Sequence, residues 1–425
     1  MKLKKQMSGR FWFFLGSGLL SAGSLAGVQS VIMSPPVTPV MPVDAQEQPP
    51  GAMDVFAPSG AGNNLPTQPF QYGPVTVRPH VSYQFLYGNG IQAAVANQQD
   101  TAIQTISPGI LLDLGRHWSL DYTPSFRFYS NNQFKDGIDH SLSLAGGTHY
   151  EDWTFGLSQS FAYSTAPTVE TGAQTEQQSF GTALSASRLL NDKMSVDFGL
   201  NQNFSYAESL QNSRVWSTMD WLNYQFWPRL TAGIGAGGGY VSVDTGPDQT
   251  YEQLQARVSW RATDKVSFQI SGGGDDRQFA GSGQPDSITP IFSASIQYLP
   301  FKDTQISVNA SRAVAPSLFQ GANTETTSFG ANINQRLFKK FSLNVGVAYN
   351  NSKYVETEVI TIGSTPYLFV NNRTDDYYNF NARLSHPLFR RGSWGISYQY
   401  NDSQSSAAGF SYKGSQIGFD VSYSY

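Results

Sequence analysis

The sequence predicts an all-β chain, a transmembrane antiparallel up-and-down barrel of about 18 strands. Three observations lead there. From Val75 to Tyr425 apolar residues recur at every second position, with no helical period of any length, the pattern of strands with one apolar and one polar face. The connections alternate between short and long. The chain also opens on a secretory leader and holds no cysteine.

The leader comes first. Lys2, Lys4, Lys5 and Arg10 precede the apolar run "FWFFLGSGLL", and Ser24, Leu25 and Ala26 supply small residues for cleavage. This is the grammar of a signal peptide over 1–26. Its removal takes four of the 27 basic residues, leaving 23 against 31 acidic ones, a net charge of −8. Residues 27–74 follow, with ten prolines and stretches such as "MSPPVTPVMPVD". They cannot build a core and read as a disordered linker. The third region, 75–425, is the barrel.

Within it, "LLDLGRHWSLDYTPSFRFY" (111–129) shows the unit. Two alternating strands flank Gly115-Arg116, and Asp113, Asp121 and Arg127 fall in the polar gaps. The unit repeats through Met194–Tyr206, Phe341–Tyr349 and Ile417–Tyr425, with Ser, Asn, Gln, Gly and Thr between the apolar positions. Short turns, from 115–117 to 387–392, alternate with longer polar loops, from 88–100 to 401–413. A soluble sandwich has no reason to sort its loops by length. An outer-membrane barrel does, with short periplasmic turns and long outer loops. Trp118, Trp153, Trp227, Phe301, Phe338, Phe341 and Trp394 gather near the short turns, where an interfacial aromatic girdle belongs. The apolar face of 111–129 is therefore expected to meet lipid and its charges to point inward.

Two features sit less easily. Pro79, Pro108, Pro124 and Pro290 interrupt strand-like runs, where each removes a ladder donor, and so suggest rims or bulges. The segment "SRVWSTMDWLNYQF" carries apolar residues on both parities, and its facing stays open. The longest loop, 351–376, reads as a hairpin standing beyond the membrane.

"ISPGILLDLGRHWSLDYTPSFRFYSNNQFKDGIDHSL" (106–142) resembles the putative beta-barrel porin 2 family of Gram-negative outer membranes. The shared features are Ser107-Pro108-Gly109, Tyr122, Tyr129 and Asp139-His140, and the strand rhythm of 75–425 fits as well. The resemblance implies a porin-like barrel, and for some members an association with exopolysaccharide systems. Tyr425 ends the chain where barrel-insertion signals commonly end in Phe, so an aromatic terminus is kept.

No enzyme is expected. The five histidines, His80, His117, His140, His149 and His386, lie on different strands or turns. The compact set at 139–141 alternates faces, so it cannot converge as a catalytic group must. Neither a metal site nor a cofactor is expected, and no basic patch suggests nucleic acid. The expected partners are outer-membrane lipid, the barrel-insertion machinery and small polar solutes or saccharides.

The candidate lumen-lining residues are Asp113, Asp121, Arg127, Arg257, Arg312, Arg336 and Arg383, together with Gly233, Gly235, Gly237 and Gly239. The arginines read as salt-bridged wall residues rather than as an anion-selective ring. The four glycines share one face of "RLTAGIGAGGGYVSV" and read as a passage wall kept clear of side chains; a cross-strand aromatic lying over them is the alternative. The functional expectation is a channel for small polar solutes. Its rival is a structural or adhesion barrel with a blocked lumen, acting through its outer loops; separately, the acidic excess in the long loops predicts an outer mouth that attracts cations.

Overall fold

The computed structural model describes residues 70–425 apart from 95–96, 168–173, 209, 245, 281–285, 318–321, 363–364 and 390. The expected signal peptide, and the expected linker up to residue 69, lie outside the described residues. The linker's end does not stay free of structure. Phe70–Tyr72 forms a short strand, β1, that turns at Gly73 (φ 59°) and pairs back onto Val75–Val77.

The wall then runs in chain order: β2 (Val75–Ala94), β3 (Asn97–Leu114), β4 (Trp118–Tyr129), β5 (Gly137–Tyr150), β6 (Trp153–Ser164), β7 (Gln177–Asn191), β8 (Met194–Ala207), β9 (Ser213–Trp227), β10 (Leu230–Val243), β11 (Gln249–Thr263), β12 (Val266–Phe279), β13 (Ser287–Phe301), β14 (Thr304–Pro316), β15 (Ala322–Leu337), β16 (Phe341–Ile362), β17 (Thr365–Leu388), β18 (Gly392–Ser405) and β19 (Tyr412–Ser424). Each pairs antiparallel with its neighbours, and β19 closes on β2 through Ile417–Tyr87 and Phe419–Phe85. The barrel proper thus has eighteen strands, β2 to β19. Closure leaves the wall no free edge, which is what a sheet in hydrocarbon requires. At the seam the Tyr425 ring stacks on Phe70 at 4.8 Å.

The two faces follow from the register, because directly paired residues share a face. Through the middle of the strands the exposed large hydrophobics, such as Ile110, Tyr122, Leu184, Ile234, Leu254, Ile270 and Ile417, keep to one parity, and both parities carry them only beside short turns, as at Leu189 and Leu190. The opposite parity holds the buried polar residues, among them Thr105, Asp121, Asn223, Asp275 and Gln416. The barrel is apolar outside and polar inside, which reverses a soluble protein. In β9 the same test settles "SRVWSTMDWLNYQF": Met219, Trp221 and Asn223 face in, while Trp216, Asp220, Leu222 and Tyr224 face out.

The short turns match expectation, from Gly115–His117 to the one between Leu388 and Gly392. The long loops are shorter than expected, since pairing runs on into them. The hairpin of 351–376 is present, and its ladder extends from Asn351–Asp376 to Ile362–Thr365. Above the lipid both faces of a strand are wet, so alternation fades while backbone pairing continues. Two prolines explain one break in the wall: the β3–β4 ladder is interrupted between Ile106–Phe126 and Ile110–Tyr122, the interval that holds Pro108 and Pro124.

Candidate lumen and outer mouth

Inward charges pair with one another. Arg78 meets Asp113 at 2.7 Å, and Arg383 meets Asp420 at 2.6 Å. Arg277 meets Asp275 at 2.7 Å with both side chains buried. Arg127 pairs with Asp139, Arg257 with Asp197, and Arg373 with Asp375. Asp113, Asp121, Arg127, Arg257 and Arg383 therefore lie on the inner face, as the alternation implies. Arg336 shares the parity of Asn332 and Asn334 but sits exposed beside a short turn. Arg312 departs from expectation. It pairs in register with Phe292, on the parity of Ile306 and Val308, so it belongs to the outer face, where its guanidinium meets Glu325 at 2.7 Å.

Asp121 has a partner that the sequence did not suggest. His80 Nε2 lies 3.3 Å from Asp121 Oδ2, and Thr123 donates its hydroxyl to Asp121 Oδ1 at 2.8 Å. The set looks like a triad but is wired differently. Asp121 and Thr123 both approach the same ring nitrogen, and the hydroxyl proton is committed to the carboxylate. A triad needs the carboxylate on one nitrogen and the nucleophile on the other. The 139–141 set separates as alternation requires: Asp139 turns in to Arg127, while His140 turns out and accepts or donates a 3.0 Å hydrogen bond with the Tyr122 hydroxyl.

The four glycines of β10 face inward, but they do not leave an empty wall. Gly233 sits in register between Asn223 of β9 and Arg257 of β11. Arg257 crosses above it, donating to Asn223 Oδ1 at 2.9 Å and reaching Asp197 on β8. A Cβ at Gly235 would come within 2.6 Å of the Trp221 ring and 2.8 Å of the Asp220 carbonyl. The Arg257 guanidinium lies 4.3 Å from the centre of that ring. Tyr251 covers Gly239, with Arg277 4.7 Å above the phenol ring, and Met219 covers Gly237. The clear passage wall is thereby corrected. Absent side chains on β10 make room for side chains arriving from β9 and β11, the aromatic-over-glycine device of β-sheets. Trp221, which shares the inward parity with this glycine run, was the available sign.

The opposite arc is lined with amides. Asn344 donates to Asn332 Oδ1 at 3.1 Å and to Asn334 Oδ1 at 2.7 Å. Asn379 and Tyr377 both donate to Asn401 Oδ1 at 2.7 Å. These groups are neutral and half-buried, save for Tyr377 and Asn401, which are buried.

At the outer mouth segments turn inward. The β4–β5 loop places Phe134 on Leu86, Ile91 and Ile103, with Tyr129 stacked on it at 5.0 Å. From the β8–β9 loop, Gln211 donates to the Ser317 carbonyl at 3.3 Å, across the barrel. Gln249 of β11 donates to Asn323 of β15 at 3.1 Å. The mouth is narrowed by cross-barrel contacts, with an apolar cluster on one side.

Comparison with known proteins follows from this geometry. No curated protein matches the sequence. Among solved structures the barrel is similar to OccK2 (OpdF) of Pseudomonas aeruginosa in complex with glucuronate, at 9% identity and TM-score 0.45, covering 82% of this chain and 98% of that one. It is also similar to OpdL of Pseudomonas aeruginosa, at 11% identity and TM-score 0.42, covering 82% and 98%. The siderophore receptor PirA of the same organism stands at 10% identity and TM-score 0.43, covering 85% and 81%. Residues 248–425, from the loop before β11 to the C-terminus, match the model of the family described as Putative beta-barrel porin 2, the family that residues 106–142 resemble, and the chain is a β-barrel of the Gram-negative outer membrane.

Proposed function

We propose that the barrel is a passive channel for small polar solutes without net charge, hydroxyl-rich ones above all. The observation that supports this reading most is the amide arc of β15–β18. Each amide offers both a donor and an acceptor, so a hydroxyl-bearing solute can exchange its water for wall contacts in short steps. Ion pairing supports the reading too, since arginines tied to aspartates leave little fixed charge to hold an ion. Catalysis has no place in it. Saccharides suit such a wall, and the family resemblance adds an association with exopolysaccharide systems.

The test is reconstitution of the full chain into lipid vesicles and planar bilayers. Stepwise conductance and vesicle swelling in neutral sugars are expected. The acidic outer loops should add a weak cation preference at low salt that fades as salt rises. Clear anion preference would count against the acidic mouth. Absence of both conductance and swelling from a folded barrel would overturn the channel reading.

The inward fold of the mouth favours one second reading, a barrel closed by Phe134 and the β8–β9 loop. Deleting 130–136 should then create conductance where the intact chain has none.

A further inference from the structure

The outer face is not apolar everywhere. In one register line Gln159 of β6 pairs with Thr182 of β7, and Thr182 pairs with Gln202 of β8. The row continues on β9 with Thr218, beside Leu200, and with Asp220, beside Ala236 of β10. All of these share the parity of the exposed Phe155, Leu184, Leu200 and Leu222, so all face out.

Their depth is set by the aromatics on the same strands. Phe155 and Phe161 flank Gln159, Phe198 and Phe204 flank Gln202, and Tyr224 and Trp216 flank Asp220. Counting from the short-turn ends, Trp153 to Gln159 is the shortest interval and Asn191 to Thr182 the longest. At about 3.3 Å per residue and a tilt of about 40°, the row lies roughly 15–23 Å above the turns, inside an apolar band about 25 Å tall. The opposite wall differs. There the outward line Val345–Ala382–Tyr398–Ile417–Tyr87 carries no amide and no charge.

The row is also under-satisfied. Thr182 donates to Gln159 Oε1 at 2.6 Å, and Thr218 donates to Asp220 Oδ1 at 3.2 Å. Among the described residues the side chain of Gln202 and the amide NH2 of Gln159 have no hydrogen-bond partner. Acyl chains carry no donor or acceptor, and lipid sugars and phosphates stay at the rim. A polar group at this depth is costly to leave facing hydrocarbon and is best met by protein.

We infer that the outer wall of β6–β9 is an intramembrane interface and that its occupant is a second copy of this chain. The wall complements itself. Two copies in one membrane share a two-fold axis along the membrane normal. An axis through β7 sets Thr182 against its own copy, Gln159 on the side of Gln202, and the outward His140 on the side of Asp220. The free NH2 of Gln159 then lies toward the Gln202 side-chain carbonyl of the other copy. The leucine and phenylalanine rows on either side supply the packing.

The sequence has no cysteine, so a single introduced thiol reports without background. The full chain carrying Thr182→Cys is oxidised in native outer membranes, with Val421→Cys on the opposite wall as comparison. Folding of each is confirmed by heat-modifiable migration. The expected result is a disulfide-linked band at twice the chain mass for Thr182→Cys, at least tenfold stronger than for Val421→Cys. A folded Thr182→Cys barrel without that band overturns the inference, as does a band of equal strength from Val421→Cys. A cross-link at another mass overturns the second copy as occupant. Asp220→Leu combined with Gln202→Leu should lower the dimer fraction in mild detergent at least fivefold while leaving the monomer barrel folded. An unchanged dimer fraction removes the polar row as its cause.

Discussion

Two arcs of the inner wall, β8–β12 and β15–β18, share one alternation and build opposite surfaces. In the first, glycines at 233, 235, 237 and 239 form a floor, and Trp221, Tyr251, Arg257 and Arg277 lie over it. In the second, Asn332, Asn344, Asn379 and Asn401 hydrogen-bond with near neighbours and no ion pair joins them. Period-2 patterning decides which residues face in. What they form there depends on which side chains the register brings alongside, and on how far those can reach. A glycine strip lets a guanidinium from β11 reach a carboxylate on β8, three strands away. A strip of asparagines fills its own space and keeps its contacts local; beside it the reaching device recurs once, where Arg383 of β17 passes over Gly395 of β18 to Asp420 on β19.

The largest break in this comparison is Gly235→Leu. A side chain there must displace the Trp221 ring and press on the Asp220 carbonyl 2.8 Å from its Cβ. Overpacking of this kind costs about 3 kcal/mol. The expected outcome is a strong loss of folded, heat-modifiable barrel after refolding into vesicles. If the variant inserts as well as the parent with lower conductance, the glycines keep a passage open and the packing account is wrong.

Arg257→Met comes next. It keeps a long side chain over Trp221 but leaves Asp197, 5% exposed, with Asn223 as its hydrogen-bond partner. Removing one partner of a buried pair costs 3–5 kcal/mol, and water in the lumen reduces this to about 2 kcal/mol. The urea midpoint in vesicles should fall accordingly. Asp197→Asn with Arg257→Met should recover much of the loss, because it removes the stranded charge. No recovery would show that packing, not charge, sets the arc.

The difference between the arcs also marks where the sequence stops being legible. The barrel, its short turns and the inward facing of Asp113, Asp121 and Arg127 could be read locally, because lipid imposes one rule on every strand. Arg312 shares the parity of Ile306 and Val308 on its own strand, so the same alternation sets it on the outer face, against the expectation of an inward side chain. The cover over Gly235 needs the β9 register, and the His80–Asp121 contact joins β2 to β4. Neither is a property of any single segment. The outer strand extensions were missed because alternation ends where lipid ends, while pairing does not.

On the amide arc a smaller effect is expected. Asn344→Ala removes donors to Asn332 and Asn334 that water can replace, so the loss should stay near 0.5–1 kcal/mol. Uptake of neutral sugars should change more than ion conductance. A larger shift in ion selectivity than Arg257→Met produces would reverse the roles assigned to the two arcs.

The smallest effect sits at the outer rim, on the outward face of β10, where Tyr240 pairs in register with Trp216. The Tyr240 hydroxyl donates to Asp248 Oδ2 at 2.6 Å, and the Val243 amide donates to Oδ1 at 3.3 Å. Asp248 lies in the β10–β11 loop, and the Tyr240 hydrogen bond, more than the Val243 amide, holds its carboxyl below the usual carboxylate range. A depressed folded value stabilises the fold above the ordinary carboxylate pKa of about 3.9, and the contribution is lost as pH falls through the lower folded value. The parent barrel should therefore lose this increment of stability on acidification from pH 5 to pH 2. Tyr240→Phe should lack most of it, so the two urea midpoints should differ at pH 5 and converge at pH 2. Midpoints equally far apart at both pH values would show that Tyr240 acts only through its ring, which stacks on Trp216 at 6.0 Å. The hydrogen bond would then be incidental to the stability of the rim.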